Sequence, residues 1–211
     1  MTKRRLIRMK YFPVILIGYL LGCSSMAWYL AKLHNADLRG SGTGNLGASN
    51  TVVLLGWKAG VLTALHDILK AFLAVLIAGW LFPDLEHGRA AAGVACVLGH
   101  IFPFYLKFKG GKGFASFFGM TLALNWRLAL VIAAAVILVT IVTDYIVCGT
   151  LTTILSVPVY MGFTRGLTTA LILCIATAVI VYKHKENYPR MLNGTELGLR
   201  SAIRGDNKLK K

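Results

Sequence analysis

Residues 11–31 read YFPVILIGYLLGCSSMAWYLA, a stretch without one charged side chain. A helix needs roughly 20 apolar residues to cross the hydrocarbon core of a bilayer, so this run is long enough to span alone. It lacks the strict alternation of a barrel strand, and only helices and closed barrels satisfy the backbone in lipid. The pattern repeats downstream, at 61–82, 90–105, 113–124, 128–142, 145–161 and 167–182. The chain therefore reads as all-α, a polytopic membrane helical bundle of about seven transmembrane helices. Several runs are short, so five or six crossings with re-entrant pieces remain open. One membrane-embedded domain is expected over 1–211, with a basic N-terminal tail (1–10) and a basic C-terminal tail (183–211).

Composition agrees with this reading. Of the 211 residues, 56% are apolar and 15% charged, whereas a soluble domain carries about 25% charge. That balance excludes an ordinary soluble enzyme, a disulfide scaffold and a disordered chain. Lys3, Arg4, Arg5, Arg8 and Lys10 resemble a signal-peptide start, but the apolar run that follows is too long and offers no small-x-small cleavage site. Bases outnumber acids 23 to 8. Seven crossings put the 32–60 and 106–112 loops and the 183–211 tail on one side with fourteen Lys and Arg, against eight opposite. The positive-inside rule makes the richer side cytoplasmic, although the basic N-terminus then lies outside against the rule. Cys23, Cys96, Cys148 and Cys174 fall in apolar runs without C-x-x-C spacing and read as small buried hydrophobes.

Three polar islands interrupt the apolar chain, all on that same side. Residues 37–50 read DLRGSGTGNLGASN; glycines at this density let the backbone turn its N–H groups inward as a phosphate nest, or form a plain flexible loop. The G-x-G-x-x-G within it follows no strand, so it is not a dinucleotide fingerprint. Residues 99–113 run from Gly99-His100 to KFKGGKG, interleaving Lys107, Lys109 and Lys112 with glycines. That suits a phosphate dianion at the mouth of a membrane site, or a plain positive-inside loop. It is no Walker A loop, since no Ser or Thr follows Lys112. Residues 183–196 carry Lys183, His184, Asn187, Arg190 and Glu196 where the last span meets water, as a snorkelling basic terminus also would. Asp67 and Lys70, three apart within a span, read as a pair facing the protein interior.

In this order the islands resemble the bacterial glycerol-3-phosphate acyltransferases that use acyl-phosphate as donor, the PlsY family. Its three motifs are matched over 37–50, 99–113 and 183–196, with Lys185 and Met191 as departures in the third. The resemblance implies an enzyme of the bacterial inner membrane, multi-pass, with its active site and C-terminus cytoplasmic. It implies transfer of a fatty acyl group from acyl-phosphate to the 1-hydroxyl of glycerol 3-phosphate, giving lysophosphatidic acid for phospholipid biosynthesis. No cofactor, metal or nucleic acid enters; the partners are the two substrates, membrane lipids and an acyl-phosphate-producing enzyme. Lys112, His184, Asn187 and Thr43 are the implied catalytic residues. Substrate contacts fall on Gly44, Asn45, Gly47, Ser49 and Asn50 of the first motif and on His100, Lys109, Gly110, Gly111 and Gly113 of the second. The third motif adds Arg190, Gly194 and Glu196. An acyl-phosphate is a mixed anhydride and already activated, so positioning and charge stabilisation suffice. The donor's own phosphate takes the hydroxyl proton in such a scheme.

Two departures lie on the acceptor side. Val53 stands where the family carries a basic residue, and Val147 where it carries Ser; both losses weaken the grip on glycerol 3-phosphate. They keep open a paralogue with an altered acceptor, or a non-catalytic one that binds phosphorylated lipid or a partner acyltransferase.

Overall fold

A computed structural model describes the backbone of residues 3–204 and the side chains of 9–201. Within those bounds the chain is helical, with no strand. The basic start, expected as a tail, is already helical from Lys3; its side chains up to residue 8, and everything from 205 onward, lie outside the described residues.

The long apolar run at 11–31 is two helices, α1 (Lys3–Cys23) and α2 (Met26–Leu33), broken at Ser24-Ser25. Ser25 makes the restart by accepting the Trp28 N–H on its hydroxyl (3.3 Å). Carbonyls freed by the break find donors at once: Tyr105 reaches Cys23 O (2.9 Å) and Lys70 reaches Ser24 O (2.7 Å). In lipid a break persists only when its orphaned groups are paired in this way.

The 32–60 stretch, expected as a loop, contains α3 (Ala48–Leu55). Its apolar side packs on α4 (Trp57–Leu81), where Gly60 leaves room for Val52. Next come α5 (Gly88–Ile101), a 3-10 turn at Phe104–Leu106, α6 (Phe114–Leu124), α7 (Trp126–Thr143), α8 (Ile146–Arg165) and α9 (Leu167–Lys183). Two short helices, α10 (Asn187–Leu192) and α11 (Leu199–Arg204), end the described chain. Five segments are long and apolar enough to cross a membrane; α6 and α9 fall short of that length. At 1.5 Å per residue α6 extends only roughly 16 Å, about half of the hydrocarbon core. The expected seven spans are thus five of full length and two shorter apolar helices.

Small residues set the closest packing. Gly18 and Gly22, one turn apart on α1, lie so near α5 that a Cβ on either would strike the Ala92 or Cys96 carbonyl oxygen. Lipid tails are as apolar as leucine, so association in a membrane relies on backbones approaching closely at such small-residue stripes.

Candidate active site

A fully buried amide builds the first loop. Asn50 accepts the Thr43 N–H on Oδ1 (2.7 Å) and donates Nδ2 to the carbonyls of Leu38 (2.7 Å), Asn45 (3.0 Å) and Ser41 (3.3 Å). Both ends of its side chain are committed, so Asn50 shapes the loop and has no group left for a ligand. Gly44 is a turn residue (φ 70°) whose N–H goes to Ser41 O. The exposed Asp37 accepts the N–H groups of Arg39 and Gly40 (both 3.0 Å), and those bonds from Gly40 and Arg39 hold its carboxyl below the usual range. Arg39 then crosses to the second island, donating to Leu106 O (2.9 Å) and Lys109 O (2.7 Å).

The second island rests on a buried polar cluster. Lys70 Nζ donates to Asp67 Oδ1 (2.7 Å) and Ser24 O (2.7 Å) and lies 2.9 Å from His100 Nδ1, which is itself 3.2 Å from Asp67 Oδ1. Buried charges survive only when paired and hydrogen-bonded like this. His100 in turn backs the loop, because a Cβ on Gly111 would collide with its ring. Gly110 and Gly111, expected among the substrate contacts, have both N–H groups committed within the protein. Gly110 N–H goes to Ile101 O (3.0 Å) and Gly111 N–H to His100 O (3.2 Å). These glycines are needed because the loop folds back onto the end of α5 with no space for side chains. Lys109 contributes its carbonyl to Arg39, while its side chain is exposed and away from the cavity described below.

The third island locks onto the second. Lys112 donates to Asn187 Oδ1, Asn187 donates Nδ2 to Glu196 Oε1 (2.6 Å), and Arg190 donates Nε to Glu196 Oε2 (2.7 Å). Arg190 also offers its carbonyl to the N–H groups of Thr195 and Glu196, with Gly194 (φ 65°) making the turn between. Arg190 and Gly194 therefore order the motif and do not line the cavity. His184 Nδ1 must carry its proton, since its partner at 2.8 Å is the Ile180 carbonyl, which only accepts. Nε2 is left as an acceptor. Burial lowers the His184 pKa, and the Lys112 charge adds to this against the Ile180 bond. Burial, with Arg190 nearby, pushes Lys112 down to about 8, while Glu196 and Glu186 pull the other way.

The islands meet at one cavity of about 360 Å³. From the first come Thr43, Asn45, Gly47 and Ser49, the last two at the N-terminal end of α3. The second supplies His100, Lys112 and Gly113; the third supplies His184, Asn187 and Glu196. Among the described lining residues Lys112 is the one Lys or Arg. Away from these groups the wall is apolar: Ala64 and Ile68 of α4, Phe118 of α6, Ala133 and Ile137 of α7, and Ile146 of α8. Ile137, one of these lining residues, is 61% exposed, so the arm reaches the surface of the protein beside it.

A family model described as Glycerol-3-phosphate acyltransferase matches residues 12–194. The chain belongs to the glycerol-3-phosphate acyltransferase family. A relative named glycerol-3-phosphate acyltransferase 1, from Oceanobacillus iheyensis, is 36% identical over 92% of this chain and 98% of its own. The enzyme so named from Clostridioides difficile is 36% identical over 88% and 94%. Among solved structures, the integral membrane glycerol 3-phosphate acyltransferase PlsY in its glycerol 3-phosphate form superposes with a TM-score of 0.82. It is 32% identical and covers 92% of this chain and 98% of its own. Its lysophosphatidic acid form gives 0.79 at 31% identity, over 89% and 94%. The protein is thus a multi-pass membrane acyltransferase of the phospholipid-synthesis class.

Within this candidate site, the apolar arm and Leu197, which also lines the cavity, do not stand out in the sequence. The arm did leave a faint trace. Ala133, Val136 and Ile137 sit at i, i+3 and i+4, one face of α7, but a helix that is apolar all round gives periodicity no contrast.

Proposed function

We propose that this acyltransferase moves a fatty acyl group from acyl-phosphate to the 1-hydroxyl of glycerol 3-phosphate, leaving lysophosphatidic acid and inorganic phosphate. The observation that carries the reading is a single cavity with a cationic polar end at Lys112 and an apolar arm opening toward lipid. A phosphate-bearing head fits the first and an acyl tail the second. The acceptor hydroxyl attacks the acyl carbon; the new C–O bond forms as the acyl–oxygen bond to phosphate breaks. The departing phosphate carries the proton away. Lys112 offsets the charge gathering on that phosphate. Thr43 and Asn45, hydrogen-bonded to each other at 2.9 Å, and the α3 N-terminus at Gly47 and Ser49 offer donors to the second head group. His184 Nε2, an acceptor, orients the acceptor's hydroxyl.

With seven crossings the three islands fall on the side richer in Lys and Arg, which supports a cytoplasmic site in the bacterial inner membrane. An acyl-phosphate must then be delivered there by an enzyme that makes it. The test uses purified protein with palmitoyl phosphate, with and without glycerol 3-phosphate. Phosphate release should require the acceptor, and palmitoyl-CoA should not replace the donor. Acceptor-independent release, or equal turnover with the thioester, would overturn the proposal.

An altered acceptor is favoured by one observation: Val147 lines the cavity, and Val53, 4% exposed, lies one turn beyond Ser49 on the same face of α3. Returning a cation there by Val53→Arg should lower the KM for glycerol 3-phosphate roughly thirtyfold, the equivalent of about 2 kcal/mol for a phosphate–cation contact. Unchanged kinetics would mean that Val53 has no bearing on the acceptor.

A further inference from the structure

Beyond the three islands, one acidic side chain holds α11 in place. Asp144 terminates α7 in the left-handed conformation (φ 67°). Its backbone carbonyl accepts the Leu199 N–H (2.7 Å) and its carboxylate accepts the Arg200 N–H (2.8 Å). These are the first two N–H groups of α11, donors that a helix cannot satisfy within itself. The residue preceding α11 is Gly198, which brings no capping side chain. It lies so close that a Cβ would collide with the Asp144 carboxylate. The cap is therefore supplied by a different part of the fold, the turn between α7 and α8. Arg200 adds a guanidinium contact to Ile141 O (3.4 Å).

Just upstream of this anchor, Leu197 lines the cavity and Glu196 bonds Asn187, which bonds Lys112. Both residues lie beyond 194, where the family match ends. We propose that Asp144 is a positioning residue for the active site: by capping α11 across the fold it fixes residues 198–200 and so holds Glu196 against Asn187. This deepens the acyltransferase reading and rests on it.

The charged groups acting on Lys112 are Glu196, Glu186, Arg190 and Lys183, with the neutral His184 alongside. Glu196 favours the ammonium form, so a loosened Glu196 lets Lys112 lose its proton at lower pH.

The experiment uses the full-length protein and two variants. Asp144→Gly removes the carboxylate while keeping the left-handed backbone unstrained. Asp144→Asn keeps an acceptor oxygen and also tolerates that conformation. In the glycine variant, amide hydrogen exchange should quicken about tenfold at Glu196, Leu199 and Arg200. Its kcat should fall about tenfold, with the alkaline limb of the pH profile moved to lower pH. The asparagine variant should restore all three. Exchange unchanged in Asp144→Gly overturns the proposal, and so does faster exchange with kcat and pH profile intact. A wild-type protein that releases no phosphate overturns the acyltransferase reading instead, while quickened exchange at Glu196 still upholds the anchoring.

Discussion

Replacing Lys112 by alanine lowers kcat for phosphate release from palmitoyl phosphate by about 10²–10³, the loss seen when one preorganised donor to a developing anion is removed. The size follows from the lining of the cavity, where no other described Lys or Arg takes its place. The same reasoning fixes a pH dependence. Burial has brought Lys112 down to about 8. The ammonium form predominates below that value and is lost as pH rises through it. Activity should therefore fall above about pH 8 in wild type, whereas an exposed lysine would stay charged well beyond it. Lys112→Arg, a cation that does not titrate in this range, should retain some turnover and lose the alkaline limb. Full turnover by Lys112→Ala, measured as phosphate release, would remove the residue from the site.

His184→Ala should cost about 10², the loss expected when a reacting hydroxyl is no longer held in line. Its Nδ1–H is tied to the Ile180 carbonyl, which leaves Nε2 with a lone pair and no hydrogen. Such a nitrogen can hold a hydroxyl but repels a fully ionised phosphate oxygen. The imidazole pKa lies below its ordinary value, so this form persists through neutral pH and disappears on the acid side as Nε2 gains a proton. Activity should thus form a bell, with the acid limb set by His184 and the alkaline limb by Lys112. His184→Gln, whose side chain still offers an acceptor, should recover part of the loss. An acid limb unmoved in the glutamine variant would show that another group sets it.

Much of the candidate site is legible in the sequence, because its residues carry unusual chemistry on an apolar background. Lys112, His184 and Asn187 stand out in a chain with 15% charge, and the cavity gathers all three. The roles inside each island were harder to read. Nothing in the order of residues distinguishes Asn50, which spends its whole amide on the loop, from Asn45, which lines the cavity. Gly110 and Gly111 look like open amides in sequence, yet a fold-back onto α5 uses both N–H groups. That fold-back is a long-range event with no local signature. Helix ends suffered in the same way. The α1–α2 break at Ser24-Ser25 depends on Lys70 and Tyr105 arriving from distant segments to satisfy the freed carbonyls. Helix α3 was hidden among turn-forming residues, and its packing partner Gly60 is on the next helix.

The exposure of the apolar arm beside Ile137 has a kinetic meaning. On the proposed reaction, a lipidic donor that enters there, and a lipidic product that leaves by the same gap, would never strip its hydrocarbon of neighbours to cross water. The quantity that saturates the enzyme is then the number of donor molecules per area of bilayer, not per volume of solution, so adding inert lipid should slow the reaction while total substrate stays constant.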